Sequence, residues 1–404
     1  MNISLTVAKL KSWRQTLWGN TLLCLVIALV VGVVLDFLWL PLHPPFLIPR
    51  VFPAVTAPVD GPFYLHNADY GYSWFAKDLP SLTLSFWFHP LMSWLVAAMP
   101  YVLPGSGWLP SNIRFWLISL VFAVGCLILS YRLIEVWGSS NKVSVRLLPL
   151  ILFVPGGLEI ATGNAEIPTL FFTLGLLLSV LRWQRWQLTV VCAVLAILTK
   201  PNALYMIPIL LVYFIAGWQD HDTALLKQAL IGIIVLLVVW LIWVAYVGLR
   251  VGEPDIYWKL RELSSQYAAH DWKGFLHQLA SSVLYSDDIR DRVRYFTALI
   301  ISVANLVIIG LIPLAKERDR YALAAGNLAM LGTALLMGNP NKIIVYTTTL
   351  PGYFAMHLLF MSRLVTKTSI SSSYSRWAAI VIYSAYWFVM LIVYVLGTPL
   401  GWYY

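Results

Sequence analysis

Residues 59–74 read VDGPFYLHNADYGYSW and place Asp60, His66 and Asp69 among four tyrosine or tryptophan side chains, with Asp78 and His89 close behind. A carboxylate in such a patch can take the proton of a hydroxyl nucleophile as a general base. Aromatic faces beside it suit the apolar side of a sugar ring or a prenyl chain. A plainer reading stands next to this one. Asp60 is followed by Gly61 and Pro62, which is a helix-start signature, and its carboxylate is a good N-cap. In the helix that follows, Phe63, Tyr64, Asn67, Ala68, Gly71 and Tyr72 share one face.

Three further stretches carry isolated polar groups. GGLEIATGNAEIPTLFF, 156–172, holds Glu159, Asn164 and Glu166. Polar groups at membrane depth are costly and tend to be functional, although a solvated turn with helix caps accounts for the same residues. LTKPNALY, 198–205, holds Lys200, whose ammonium could meet a lipid phosphate as a point charge or anchor a helix at the interface. GNPNKIIVYTTTLPGYF, 338–354, holds Lys342, and Pro351 is expected to kink the span that follows.

The elements that carry these groups are apolar. Of 404 residues, 60% are hydrophobic and 11% charged, against about 25% charged in a soluble domain. About eleven spans are expected, near 18–42, 113–133, 147–160, 167–181, 187–199, 202–217, 229–249, 295–314, 321–337, 343–361 and 377–397. Starting from a cytoplasmic N-terminus, the cytoplasmic segments hold 15 of the 27 basic residues, and the short outer loops hold only Lys200 and Lys342. The +9 net charge therefore follows membrane topology and does not indicate a nucleic-acid partner. Cys24, Cys126 and Cys192 all lie in apolar runs, so neither a disulfide framework nor a zinc site is suggested. The expected architecture is an all-α polytopic membrane protein, one domain over 1–404, with an amphipathic helix in a first outer loop at 43–112. A second outer loop, 250–294, carries Tyr267, His270, Asp271, His277, Asp287, Asp288 and Asp291. Its carboxylates could hold a divalent cation, but they have no metal-motif spacing, and a helix start with ion pairs is the better account of SDDIRDRVRYF.

Asp60, Phe63, Tyr64, Ala68, Gly71 and Tyr72 reproduce the spacing D-x-x-[WF]-Y-x-x-x-A-x-x-G-Y. This resembles the first outer loop of PIG-V-type mannosyltransferases and their bacterial relatives, which have the GT-C fold. The family continues into a segment like F-F-P-L-Y-P-L. Here SFWFHPL, 85–91, keeps Phe86, Pro90 and Leu91 but has Trp87 for the first Pro and His89 for the Tyr. The resemblance implies a GT-C-like bundle that takes its sugar, mannose among the candidates, from a polyprenyl-phosphate donor. The acceptor would be a glycan or lipid. It implies that Asp60 is catalytic. Tyr64, His66, Asp69, Tyr72, His89, Glu159, Glu166, Lys200 and Lys342 become substrate-binding candidates. A Lys before Pro, as at Lys200, is similar to many GT-C sequences, and Lys342 stands where relatives carry an Arg or His facing the donor phosphate. No resident cofactor is expected. The enzyme would work among membrane lipids on the non-cytoplasmic face of a bacterial inner membrane or its equivalent. A transporter or flippase of lipid-linked sugars is the alternative, but no internal repeat is evident and the acidic residues cluster at the outer ends of spans.

Overall fold

The computed structural model describes residues 16–39, 61–72, 88–137, 145–153, 160, 163–259, 300–301, 303–312, 314–336 and 350–367. The expected all-helical build is what these residues adopt, with no strand among them. Helix α1 is Leu17–Trp39, α2 Gly61–Tyr70, α3 Pro90–Val102, α4 Ser111–Val136 and α5 Glu166–Leu178. Helix α6 is Trp186–Thr199, α7 Met206–Gln219 and α8 Thr223–Val251. Residues 303–311 form α9, followed by α10, Glu317–Leu336, and α11, Tyr353–Lys367.

Four segments are long and apolar enough to cross a bilayer: Ser111–Val136, Glu166–Trp183, Pro201–Gln219 and Thr223–Val251. Shorter apolar helices run over Leu17–Val30, Pro90–Val102, Trp186–Thr199 and Tyr353–Ser362. The chain is a multi-pass membrane protein. Its centre is α5, whose window is 78% buried inside the protein; α8, at 28%, faces outward.

The structure differs from the expected layout in three places. The span expected at 147–160 is instead a 3-10 stretch over its described part, Val145–Phe153, with Pro149 inside. Nine 3-10 residues at about 2 Å each reach about 18 Å, and residues 154–159 of the expected span lie outside the described residues. The first outer segment holds a second helix, α3, which starts with Pro90 in its first turn, where proline's missing N–H costs nothing. Of the span expected at 343–361, residues 343–349 lie outside the described residues; Leu350–Gly352 are not helical, and α11 begins at Tyr353. The last expected span, 377–397, lies outside the described residues.

Helices α5 and α6 are joined by a π-turn, Ser179–Trp183, and by Gln184 at φ +50. A buried polar chain ties this hairpin to α8. The Thr189 hydroxyl donates to Gln228 Oε1 (2.8 Å), Ser179 Oγ lies 2.9 Å from Thr189 Oγ1, and Gln228 Nε2 donates to the Gln184 carbonyl (3.2 Å). At this same end Arg318 pairs with Asp220 (3.0 Å), and the Tyr213 phenol donates to Asp319 (2.9 Å). These contacts set the start of α10 against the end of α7.

Gly352 sits at φ +90, and a Cβ there would lie 2.5 Å from the buried Trp137 ring. Gly105 has the same φ but open space around its Cβ position. Gly352→Ala should cost about 2 kcal/mol more than Gly105→Ala, since it adds a core clash to a shared backbone strain. Thermal melting of the detergent-solubilised variants checks this. Equal shifts would mean that the Trp137 contact is not what holds the turn.

Candidate functional site

The end of the bundle opposite the Gln184 turn collects residues from the first outer segment and from three helix ends. Helix α5 starts at Glu166, and α6 ends at Thr199 with Lys200 extended behind it (φ −160, ψ 140). Pro201 follows, which cannot continue the helix and biases Lys200 away from helical geometry. The Lys200 ammonium meets Glu166 Oε1 directly, with the two side chains 9% and 6% exposed. The carboxylate lies at a helix N-terminus and the ammonium at a helix C-terminus, so both helix dipoles favour the pair.

The end of α6 leaves carbonyls without intrahelical donors, and each described partner is specific. Lys200 N–H donates to Ala196 O (3.1 Å), and the Thr199 hydroxyl donates to Leu195 O (2.7 Å). Ile197 O would ordinarily accept from residue 201, but Pro201 has no N–H. His89 Nδ1 meets that carbonyl instead. A carbonyl only accepts, so the proton on this ring is at Nδ1. The Tyr64 phenol donates to Thr199 O (3.3 Å). Helix α2 and the start of α3 thereby complete α6.

Aromatic packing holds α2 in that position. Phe63 stacks on Phe88 at 4.7 Å, and the fully buried Tyr64 meets Phe88 at 5.1 Å and Phe115 at 5.9 Å. Ser93 Oγ donates to the Tyr64 carbonyl (2.9 Å). Past the left-handed Gly71, the Tyr72 phenol donates to Phe88 O (2.9 Å), and burial pushes its pKa up. On the α5 side, Asn164 Oδ1 accepts from Ile167 N–H (3.1 Å), and Ser119 of α4 donates to the Asn164 carbonyl (3.1 Å).

Five of the residues singled out in the sequence therefore come together: Tyr64, Tyr72, His89, Glu166 and Lys200. Two stand at the rim. Asp69 is exposed, accepts from Ser111 Oγ (2.8 Å) and lies 3.8 Å from Arg114. His66 is exposed, with its ring 5.2 Å from Tyr70. Asp60, Glu159 and Lys342 lie outside the described residues, although α2 begins at the residue after Asp60. Two expectations are corrected. Lys200 is not an anchor reaching out to the interface, because Glu166 holds it inward. The Asn164 turn is a helix cap, but a buried one. Sequence reasoning missed Arg114, which donates to Val96 O (2.8 Å), and Trp243, which contacts both Tyr72 and His89. The signal for the latter was present: Trp240, Trp243 and Tyr246 recur every third residue. Among the described residues no three His, Cys, Asp or Glu side chains are grouped to hold a metal.

The chain resembles the crystal structure of the apo oligosaccharyltransferase of Archaeoglobus fulgidus, at TM-score 0.53 and 12% identity. The match covers 93% of this chain and 56% of that one. The chain shares the fold of the matched part of that structure. The same oligosaccharyltransferase tethered to an acceptor peptide containing the NVT sequon matches at TM-score 0.49 and 14% identity, over 96% of this chain and 56% of that one. Its complex with an inhibitory peptide and a dolichol-phosphate matches at 0.48 and 14%, over 95% and 57%. The chain spans just over half the length of these neighbours. The likeness is to the fold as a whole and does not single out the PIG-V-type mannosyltransferases. No protein-family model matches the chain, and no curated protein does.

Removing one partner of a buried ion pair leaves an uncompensated charge, at a cost of about 3–5 kcal/mol. Lys200→Met and Glu166→Gln should each destabilise the protein by about that much, and the double variant by less than their sum. Denaturation of the three variants in detergent measures the coupling. Additive losses would show that the two side chains do not depend on each other.

Proposed function

We propose that the chain is an integral-membrane glycosyltransferase that moves a sugar from a polyprenyl-phosphate donor to a glycan or lipid acceptor on the non-cytoplasmic face. The observation that carries this reading is the convergence of Tyr64, Tyr72, His89, Glu166 and Lys200 at one end of a bundle that shares the fold of the matched part of the oligosaccharyltransferase. The step from fold to activity is by analogy, and the residues give it chemical content.

In this reading Asp60 takes the acceptor's hydroxyl proton as that oxygen attacks the anomeric carbon. The bond from that carbon to the phosphate oxygen breaks, and its electron pair leaves with the lipid phosphate. Lys342 faces the departing phosphate and offsets its charge. Lys200 can contribute only by exchanging Glu166 for phosphate, so its ammonium is a secondary contact. Helix α2, directly after Asp60, is seated on α6 by Tyr64, which gives the base a rigid support. His66, Asp69 and Glu159 are assigned to the acceptor side of the site. A divalent cation is not required by this displacement.

The sidedness rests on charge. Among the described residues, the end away from the site holds Arg132, Arg182, Arg185, Lys227, Lys316, Arg318 and Arg320, which supports reading it as the cytoplasmic end. A membrane-impermeant thiol reagent applied to intact cells should label single cysteines introduced at 78 and 271, and spare one at 372. Labelling at 372 with protection at 78 would invert the topology and remove a lipid-phosphate donor on the outer face from consideration.

Asp60→Asn separates base from cap. Asn caps a helix as well as Asp, so a purely capping role predicts almost no effect. Loss of general-base assistance predicts normal folding and donor binding with transfer slowed by about 10²–10⁴-fold. The check is transfer by purified protein from a panel of polyprenyl-phosphate sugars, with Asp69→Asn as the control. Near-native transfer by Asp60→Asn would end the assignment.

A further inference from the structure

Helix α8 has 29 residues and is about 43 Å long, against a hydrocarbon core of about 30 Å. Roughly 20 residues from Thr223 carry the chain across that core, to the level of Trp243. The overhang beyond it reaches the headgroup region on the site side. Three aromatic residues of α8 cluster at this level, and they differ in exposure. Tyr246 is 43% exposed and Trp240 half-buried, as expected of an aromatic belt. Trp243 is 5% exposed. A belt does not explain it.

Trp243 packs in one apolar cluster with Val247, Ile256 and Tyr257, and two of the three rings it meets belong to the site. Its indole lies 5.4 Å from the His89 ring, 6.0 Å edge-on from Tyr72 and 5.9 Å from Tyr246. His89 and Tyr72 are the residues that complete the end of α6 and hold Phe88, three positions from Lys200 along α6 at Ile197. The Trp243 Nε1–H is buried and has no acceptor among the described residues. A buried indole N–H usually finds a partner, and leaving one unmade costs about 1–3 kcal/mol. A donor without an acceptor, set among aromatic faces at headgroup level, matches a ligand with an apolar face and hydroxyls around its edge.

We propose that Trp243, with Tyr72 and His89, is a pyranose-binding subsite: the sugar ring lies against the aromatic faces, and one of its hydroxyls accepts from Nε1–H. This deepens the glycosyltransferase reading and rests on it. The ring can come from the lipid donor or from a glycan acceptor, and the chemistry is shared.

The test replaces Trp243 in the full chain with 3-benzothienyl-alanine by site-specific incorporation, which puts sulfur for the ring N–H at nearly constant shape. Trp243→Phe is the second variant, and Trp240→Phe the lipid-facing control. Binding to protein in nanodiscs is measured for polyprenyl-phosphate mannose, polyprenyl-phosphate glucose, sugar-free polyprenyl phosphate and free mannobiose. One lost hydrogen bond should weaken binding by roughly two- to tenfold. Loss confined to the sugar-bearing lipids, with sugar-free lipid unchanged, places the donor ring there. Loss confined to mannobiose places the acceptor ring there. If wild type binds a sugar-bearing ligand and both Trp243 variants bind it equally well, the subsite is overturned while the parent reading stands. If wild type binds none of the sugar-bearing ligands, the parent reading falls, and the subsite with it.

Discussion

The buried pairing of Lys200 with Glu166 is the constraint on which the rest of the site end depends. Neither charge can be left alone in a low-dielectric interior, so the start of α5 and the end of α6 must stand level and in contact. Pro201 then stops α6 at that level and withholds a donor from Ile197 O. Because bilayer and protein interior supply no spare water, the missing donors must come from another element. They come from His89 and Tyr64, which belong to the first outer segment. The seat of α2 is therefore not an independent feature. It follows from where α6 ends.

The seat also needs the aromatic cluster of Phe63, Tyr64, Phe88 and Phe115. Each ring adds apolar burial, and edge-on or offset contacts fix orientation beyond what area alone would do. Helix α2 spans only ten residues, too few to be stable alone in water. Its helicity is thus a consequence of docking.

The opposite end is built differently. There, neutral hydroxyl and amide groups of Ser179, Thr189 and Gln228 hold the α5–α6 hairpin to α8, and charged pairs stand at the exposed edge. Such neutral hydrogen bonds are worth about 0.6 kcal/mol each in a membrane protein. This end registers the helices through neutral groups and one buried carboxylate, Asp319, while the site end joins a buried ion pair to aromatic rings and to carbonyls capped by side chains. The two ends share α5 and α6, so the register set at one is transmitted rigidly to the other.

Hydropathy and charge along the chain determine the class of the protein. Only transmembrane helices accommodate such long apolar runs, and basic residues sort toward one side of them, so the helices from 111 to 251 were legible to within a few residues at most of their ends. The helix after Asp60 was legible as well, because Gly61, Pro62 and the one-sided spacing of Phe63, Tyr64, Asn67 and Tyr72 are local signals. What local signals cannot carry is the partner of a charge or a carbonyl. Glu166 and Lys200 are 34 residues apart, and His89 lies 108 residues from Ile197. Nothing in either neighbourhood names the other, so Lys200 read as a phosphate contact or an interfacial anchor. Helix α3 was not anticipated, and the 3-10 stretch Val145–Phe153 was read as part of a span, for a related reason. Apolar runs of nine to thirteen residues satisfy several geometries equally, and only packing against neighbours selects one. Trp243 shows the same division: its spacing with Trp240 and Tyr246 marks an aromatic face, but its burial against Tyr72 and His89 exists only once α2 and α8 have met.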